Sequence, residues 1–219
     1  MSVAPTRVKI CGIRSDRDLA LAVEAGADAV GFLVGLDYET DDALLPEAAA
    51  ALARQVPPFV TRVVVTHRTT VDEVAELAYA VPCDAVQLHG EFPLDRIDLL
   101  RLSLPPPVRV HRVVHVTGPE AVPFAAEVSH VADAVHLDTR TDDRVGGTGL
   151  VHDWKLSMRI VKWVRKPVVL SGGLTPENVR DAIRAVAPAA VDVNTGVEDA
   201  DGAKDPHRLR AFVKAARGS

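Results

Sequence analysis

Residues able to take part in chemistry recur along this chain, each at the end of an apolar, strand-like run. Cys11 follows the first run, His89 the fourth and Asp138 the sixth. Glycine-containing segments follow the seventh and eighth runs, as Gly172-Gly173 and Asn194-Thr195-Gly196. A thiol, an imidazole and a carboxyl can exchange protons with a substrate, and glycine lets the backbone approach a phosphate closely. If the fold brings these strand ends together, they could form one site despite their separation in sequence.

The apolar runs recur roughly every 25 residues, as expected when strands alternate with helices. They occupy residues 8–12, 29–34, 61–66, 85–90, 108–114, 134–138, 167–173 and 190–196. Eight such units predict an α/β fold, a single-domain (β/α)8 TIM barrel, in which the carboxyl ends of the strands meet at one mouth. A doubly wound open sheet is the alternative, but eight units without a GxGxxG turn favour the barrel.

Helix-like segments lie between these runs. They occupy residues 16–26, 46–55, 70–80, 94–102, 119–131, 153–165, 176–186 and 206–217. Ser15 can cap the first of them and Gly26 can end it, and prolines near the start of several others are compatible with a first helical turn.

The length and composition predict one globular domain spanning residues 1–219. Of the 219 residues, 47% are hydrophobic and 25% charged, which is ordinary for such a domain. The net charge of −5 gives no footprint for nucleic acid or an anionic membrane. A phosphorylated substrate would therefore need a local binding site.

Cysteine and histidine usage predicts a cytoplasmic protein without a metal. Cys11 and Cys83 have neither metal-ligand spacing nor the number needed for a disulfide framework. The eight histidines do not cluster with carboxylates at a strand end. The segment from Met1 to Thr6 is too short and polar for a signal peptide, and no apolar run approaches the roughly 18 residues that span a bilayer.

Two connections are longer than the fold needs. Residues 35–45 carry Asp37, Glu39, Asp41 and Asp42, and residues 139–152 carry arginines and glycines. Long loops in compact domains are often lids or binding segments, and the arginines of the second could meet an anion. The alternative for the second loop is a solvated, mobile segment. For residues 35–45, which we call the acidic loop, the preferred interpretation is that the carboxylates are simply solvated.

Several segments, taken in chain order, resemble the phosphoribosylanthranilate isomerase family. They are Lys9-Ile10-Cys11-Gly12-Ile13, Gln87-Leu88-His89-Gly90, Leu137-Asp138-Thr139 with Gly146-Gly147-Thr148-Gly149 and Asp153-Trp154, Ser171-Gly172-Gly173-Leu174 with Pro176-Glu177-Asn178-Val179, and 191–198 with Lys204-Asp205-Pro206. An ordered series is more specific than any one motif. The resemblance implies the same barrel. It also implies a metal-independent isomerase without a cofactor that converts N-(5-phosphoribosyl)anthranilate to 1-(2-carboxyphenylamino)-1-deoxyribulose 5-phosphate in tryptophan biosynthesis.

The resemblance makes Asp138 the general acid and Cys11 the general base. An Amadori rearrangement needs a proton delivered to the ring oxygen and another taken from C2. A free carboxyl has a pKa near 3.9 and a free thiol near 8.5, so the site must raise the first and lower the second. Lys9 shares the strand face of Cys11 and is a possible cation for this purpose. The alternatives are that Cys11 is an inert buried hydrophobe and that Asp138 is a helix cap or structural acceptor.

The substrate phosphate is expected on the loops after the last two strands, which such barrels use for this purpose. The predicted residues are Gly172, Gly173, Asn194, Thr195 and Gly196, with ordinary glycine turns as the alternative. Gln87 and His89 share the inward face of their strand, so the resemblance places them in the site wall. For His89, a hydrogen-bonded core histidine is equally compatible with the sequence.

The chain departs from the family pattern at the anthranilate end. The family usually has a Ser-Pro-Arg-like segment after the second strand, whereas residues 35–42 contain no basic residue and would repel a carboxylate. The third strand ends in Val65-Thr66-His67-Arg68 rather than a Phe-Val-Asn ending. His67, Arg68, Arg112 or Arg140 could supply the cation.

Three hypotheses follow. The first is the isomerase, acting on a small phosphorylated sugar-amine substrate as a monomer or homodimer. The second is a related enzyme that acts on a different phosphorylated sugar or sugar amine. The third is a non-catalytic barrel that binds a sugar phosphate.

Overall fold

The strands of the chain close into a parallel barrel, as predicted. The computed structural model describes residues 6–141, 144–145 and 153–218, and only the backbone of residues 140–141 and 144–145. The barrel strands are β1 Arg7–Ile10, β2 Ala29–Val34, β3 Thr61–Thr66, β4 Ala85–Leu88, β5 Arg109–His115, β6 Ala134–Asp138, β7 Val168–Leu170 and β8 Ala190–Val193. Each pairs in parallel with its neighbours in chain order. Pairing of β1 with both β8 and β2 closes the barrel, which excludes the open sheet.

A helix follows each barrel strand and covers the outside. The helices are α1 Asp16–Ala25, α2 Pro46–Ala53, α3 Val71–Ala80, α4 Ile97–Ser103, α5 Ala121–Val131, α6 Trp154–Trp163, α7 Val179–Val186 and α8 Pro206–Arg217. The predicted cap of α1 is confirmed, because Ser15 Oγ accepts from the Asp18 N–H at 3.1 Å and Gly26 has a φ of 94°. None of these helices is long and apolar enough to cross a membrane.

Two predicted helices, α4 and α7, begin later than predicted, because their first predicted residues form a turn. Helix α7 begins at Val179 rather than Pro176, because Asn178 Oδ1 accepts from the Thr175 N–H at 2.8 Å and holds the preceding residues in a turn. The segment before α4 is a short 3₁₀ turn, Leu94–Arg96. These shifts move helix ends by a few residues and leave the barrel unchanged.

Alternation along the strands sorts the buried side chains into two layers. The larger layer packs between sheet and helices and includes Ile10, Phe32 and Leu88. The smaller apolar cluster belongs to the opposite strand faces, in the barrel interior; it contains Cys11, Leu33, Val63, Val65 and Ala85. The interior faces of β1, β4, β6 and β8 also carry buried polar side chains, which are Lys9, Gln87, His136, Asp138 and Asp192. The interior therefore combines apolar and polar side chains, some of them on the same strand.

The two long connections contain short pieces of strand. Ala43–Leu44 pairs in parallel with the end of β2, through Leu33 and Val34, which anchors the acidic loop at its far end. After β6, Arg140–Thr141 pairs antiparallel with Arg144–Val145. The remainder of that connection, including Gly146, Gly147 and Gly149, lies outside the described residues.

Candidate active site

Cys11 and Lys9 lie together at the mouth end of β1. The Cys11 N–H donates to the Val193 carbonyl of β8 at 2.8 Å, which fixes the residue just past the strand. Gly31 of β2 leaves room for both side chains, because a Cβ there would lie 2.7 Å from the Cys11 Sγ and 3.1 Å from the Lys9 Nζ. The Lys9 ammonium also contacts Asp192 Oδ2 at 2.6 Å. The thiol therefore has a paired, buried cation beside it.

Two opposing effects set the pKa of Cys11. Burial raises it, and the Lys9 ammonium lowers it through its charge and a hydrogen bond; the net direction is upward. The pKa of Lys9 is itself raised, because Asp192 and Cys11 together outweigh the lowering that burial causes. Lys9 is therefore charged, and it is the nearest group that stabilises the thiolate over the thiol.

Asp138 ends β6 and is buried at the same mouth. Its Oδ1 accepts from the Thr139 N–H at 2.7 Å, and its Oδ2 lies 3.3 Å from His89 Nε2. Burial raises the pKa of Asp138 to about 7, and Asp192 adds to the effect. A carboxyl with this pKa carries a proton for much of the time at neutral pH, so it can donate one.

His89 faces Asp138 as a neutral imidazole. Burial lowers its pKa well below the usual value, and the neighbouring His115 and His67 lower it further. The contact between His89 and Asp138 is therefore not an ion pair at neutral pH. This arrangement lets the Asp138 carboxyl keep its proton.

Cys11 and Asp138 share their electrostatic neighbours. Lys9 and Asp192 act on the pKa of both groups. Tyr38, from the acidic loop, has a raised pKa caused by burial and then by the charges of Cys11, Asp37, Asp42 and Asp138. A thiol from β1 and a carboxyl from β6 thus lie at the same barrel mouth as Tyr38 of the acidic loop, under the influence of the same charges.

The loops after β7 and β8 pack against each other and against the end of β6. Gly172 and Gly173 have φ values of 85° and 66°, in the left-handed region that favours glycine. A Cβ at Gly172 would lie 2.3 Å from Thr139 Oγ1, and one at Gly196 would lie 1.9 Å from the Leu174 carbonyl oxygen. Only glycine permits this packing.

These two loops also offer backbone donors. Within the described part of the chain, the N–H groups of Gly172, Gly173, Thr195 and Gly196 donate to no other protein group. The Asn194 side chain is engaged instead: Nδ2 donates to Asp42 Oδ2 at 2.9 Å and Oδ1 accepts from Lys204 Nζ at 2.5 Å. The loops therefore present four backbone amides at the position where barrels of this type bind phosphate.

A series of rings lines the mouth along β3, β4 and β5. His67 stacks on His89 with 5.1 Å between ring centroids, and His89 lies 5.4 Å from His115. Tyr38 covers His67 at 5.3 Å. His89, a predicted wall residue, and His67, a predicted candidate for the anthranilate end, are thus brought together.

The proposed cations after β3 and on β5 lie elsewhere. Arg112 shares the outward strand face of Val110 and Val114, and its guanidinium donates to the Leu88 and Val113 carbonyls at 3.1 and 2.9 Å. The placement of Arg112 at the mouth is therefore wrong, since strand alternation turns it toward the helices. Arg68 is half-exposed and lies 3.5 Å from Glu73 of α3. The side chain of Arg140 lies outside the described residues.

A buried polar column lies in the barrel below the mouth, and three of its members, Asp192, His136 and His111, were not predicted as site residues. Asp192 pairs with Lys9 and lies 3.8 Å from His136 Nδ1, and His136 Nε2 is 3.2 Å from His111 Nδ1. Gln87, the other predicted wall residue, is also buried, opposite His111 in register. The sequence did hold a signal for Asp192. Side chains alternate along a strand, so Asp192 faces the same side as Asn194, which was predicted as a site residue. In the regions the structure describes, no group of three or more His, Cys, Asp or Glu residues could hold a metal ion.

Comparisons with known proteins agree with this geometry. The family described as N-(5'phosphoribosyl)anthranilate (PRA) isomerase matches residues 8–215. An N-(5'-phosphoribosyl)anthranilate isomerase of Natronomonas pharaonis is 46% identical over 213 residues, covering 97% of this chain and 99% of its own. The crystal structure of phosphoribosyl anthranilate isomerase from Thermotoga maritima superposes with a TM-score of 0.85 at 38% identity, covering 98% of this chain and 100% of its own.

A second solved structure holds a ligand. It is a phosphoribosyl anthranilate isomerase in complex with reduced 1-(o-carboxyphenylamino)-1-deoxyribulose 5-phosphate, with a TM-score of 0.83 and 36% identity, covering 98% of this chain and 100% of its own. The chain described here belongs to the N-(5'-phosphoribosyl)anthranilate isomerase family.

Proposed function

We propose that this protein is the phosphoribosylanthranilate isomerase of a tryptophan-synthesising cell, working in the cytoplasm. It converts N-(5'-phosphoribosyl)anthranilate to 1-(2-carboxyphenylamino)-1-deoxyribulose 5-phosphate. The observation that carries this proposal is that Asp138, whose pKa is raised to about 7, and Cys11, beside the Lys9 ammonium, lie at one barrel mouth and are acted on by the same charges. The family membership supports the same reaction.

The rearrangement begins with Asp138 as the acid. Its proton goes to the ribose ring oxygen while the bond from that oxygen to C1 breaks, and the nitrogen lone pair forms the C1=N bond. The product is an open-chain iminium, and Asp138 is left as a carboxylate. Its raised pKa makes this transfer accessible at neutral pH, since an ordinary carboxyl would already have lost the proton.

Cys11 then acts as the base. The thiolate takes the proton from C2, and the C2–H electron pair forms the C1=C2 bond while the C1=N electrons return to nitrogen. The resulting enolamine becomes the ketone when its hydroxyl proton is lost and C1 gains one. Hydrogens move within one substrate, so the reaction balances without an oxidant or reductant. Lys9 supports the step by stabilising the thiolate that must form before it.

The phosphate end is held by the loops after β7 and β8. Gly172, Gly173, Thr195 and Gly196 supply backbone N–H donors, and Asn194 is fixed at the loop start by Lys204. A dianion gains charge-assisted hydrogen bonds from such amides. The ligand class we propose is a small phosphorylated sugar amine bound by a monomer or homodimer.

The test is turnover of N-(5'-phosphoribosyl)anthranilate by the purified protein, followed through the loss of anthranilate fluorescence. We expect Cys11→Ala and Asp138→Asn each to lower kcat by at least about 10²-fold, the scale of one acid or base group. Cys83→Ala is the matched control, since Cys83 lies just before β4, at the end of the barrel opposite the mouth; its kcat should match that of the unmodified protein.

Two outcomes would replace the proposal. If a folded protein leaves this compound unchanged but rearranges another phosphorylated sugar amine through Cys11 and Asp138, it is a related enzyme with a different substrate. If the product analogue stabilises the protein but no compound turns over, it is a binding protein.

A further inference from the structure

One carboxylate of the acidic loop binds a histidine of the mouth. Asp37 Oδ1 accepts a hydrogen bond from His67 Nδ1. The His67 side chain is only 4% exposed, whereas that of Asp37 is 70% exposed. His67 is held by stacking on His89 and by Tyr38. A buried, oriented donor at the end of β3 is thus paired with a carboxylate that reaches it from the solvent side.

The position of His67 corresponds to the far end of the substrate. Three strands lie between β3 and β7 on either side of the barrel, and the same holds for β4 and β8, so these pairs face each other across it. With the phosphate on the β7 and β8 loops and the reacting carbons between Cys11 and Asp138, the aromatic end points toward β3 and β4. That end carries a carboxylate in N-(5'-phosphoribosyl)anthranilate.

The cations described around the mouth are engaged elsewhere. Arg112 points toward the helices, and Arg68 pairs with Glu73. Lys9 pairs with Asp192 in the barrel below the mouth, and Lys204 pairs with Glu198 after the β8 loop. Imidazole N–H groups donate to carboxylates in both the neutral and the protonated form. The contact with Asp37 shows directly that His67 accommodates a carboxylate.

We infer that the substrate's aromatic carboxylate binds His67 by displacing Asp37, which competes for the same donor. The inference rests on the proposed function and names the residue that recognises the aromatic end. It resolves the conflict between an acidic loop and an anionic substrate, because the exposed Asp37 can withdraw into solvent when the ligand arrives. His67 is then a binding and specificity residue, and Asp37 an internal competitor.

The experiment measures the dissociation constants of two ligands by calorimetry. One is reduced 1-(o-carboxyphenylamino)-1-deoxyribulose 5-phosphate, and the other is the same compound without the ring carboxyl. For His67→Phe, we expect binding of the first to weaken about 10- to 100-fold, the usual effect of losing a hydrogen bond to a charged group. Binding of the second should change less than about threefold. His67→Gln, which keeps an N–H donor, should recover part of the discrimination.

Two further variants distinguish competition by Asp37 from a general effect of the negative charge of the loop. Asp37→Asn should tighten binding of the carboxylated ligand by about 2- to 10-fold, because a weaker competitor remains on His67. Asp41→Asn removes one negative charge from the same loop at an exposed residue. Its change in the logarithm of the dissociation constant should be less than half of that for Asp37→Asn.

Three results would overturn the inference. These are equal weakening of both ligands by His67→Phe, no weakening of either, or loss of carboxylate discrimination in Arg68→Gln while His67→Phe retains it. A melting temperature for each variant shows that it is folded. Because the measurement uses binding and not turnover, a protein that failed to rearrange the substrate could still pass or fail this test.

Discussion

At the scale of single residues, the site depends on two pKa values shifted by burial. Asp138 has a pKa of about 7 against an ordinary value of 3.8, so the folded protein holds its proton more tightly than the unfolded chain. The pKa of Cys11 is also raised by burial, and Lys9 opposes that rise. The proposed reaction needs protonated Asp138 and ionised Cys11 together. Its rate should therefore rise with pH as the thiol ionises and fall as Asp138 loses its proton.

Asp138→Asn should make the protein more stable at high pH. The unfolded chain releases the Asp138 proton near its ordinary pKa while the folded protein keeps it, so stability falls as pH rises from about 4 to about 7. A shift of about three units corresponds to at most about 4 kcal/mol. The asparagine can retain the acceptor for the Thr139 N–H. We expect a higher free energy of unfolding for the variant in urea at pH 8, with little difference at pH 4.

An equal stability difference at both pH values would contradict this explanation. It would show that Asp138 does not change its protonation on unfolding in this range.

Lys9→Met should move the thiolate limb of the activity profile to higher pH. Lys9 is the group that lowers the pKa of Cys11 most. Without its ammonium, alkylation of the thiol by iodoacetamide and the value of kcat/KM should both begin to rise only at higher pH. The single variant leaves Asp192 buried without its cation, which costs about 3–5 kcal/mol. The paired variant Lys9→Met with Asp192→Asn removes both charges.

The paired variant is therefore the control. It should regain most of the lost unfolding free energy but keep the shifted profile. A profile like that of the unmodified protein would show that Lys9 does not act on Cys11.

At the scale of elements, the loop after β7 needs glycine for two reasons at once. Gly172 has a left-handed φ, and a Cβ there would strike Thr139 beside Asp138. Gly218, at the end of α8, has a similar φ of 72°, but a Cβ added there would meet nothing within 4 Å. Alanine variants at the two positions therefore distinguish the cost of backbone strain from the cost of crowding at the site.

Gly172→Ala should raise KM as well as lower stability. Left-handed strain costs about 1–2 kcal/mol at either glycine, so Gly218→Ala should lose about that much unfolding free energy with an unchanged KM. At Gly172, displacement of Thr139 should add to the loss and raise KM at least several-fold. Steady-state kinetics and urea unfolding of both variants check this, and equal KM values would count against a phosphate loop at Gly172.

Strand β5 shows how alternation decides which polar residues reach the site. Arg112 points toward the helix layer, whereas His111 and His115 share the opposite face. We expect Arg112→Met to leave KM and kcat within about twofold, because the change lies in the layer outside the barrel and methionine fills much of the same volume. A tenfold rise in KM would show that Arg112 does contribute to substrate binding.

At the scale of the whole molecule, one barrel holds all the site residues, so its closure matters. Helix α8 packs against β1 and the turn that follows β8, and it buries Leu209, Phe212, Val213 and Ala216. Burying each of the larger side chains contributes about 1.5–3 kcal/mol, and the total stability of a domain is about 5–15 kcal/mol. The helix is therefore expected to be indispensable.

A chain ending at Asp205 should fail to unfold cooperatively. The control ends at Arg217, after the last helical residue. Circular dichroism during thermal unfolding distinguishes them, since the control should show one sharp transition near that of the full chain. A sharp transition and normal turnover in the shorter chain would show that closure does not depend on α8.

The sequence by itself determined the barrel, its eight units, and the strand ends that carry Cys11, Asp138 and the glycine loops. Those features depend on local patterns: hydrophobic runs, helix caps and short motifs with fixed spacing. The order of these motifs also identified the family, which the comparisons confirmed.

Only the tertiary structure decided which cation, carboxylate and imidazole act on which group. Lys9 and Asp192 are 183 positions apart and 2.6 Å apart in space, and Asp37 meets His67 across a loop whose path no local pattern predicts. Arg112, one of four cations offered by the sequence, points toward the helix layer, and its strand register became visible only in the folded barrel. The pKa values of Asp138 and Cys11 likewise depend on burial and on neighbours from other strands, which exist only after the barrel closes.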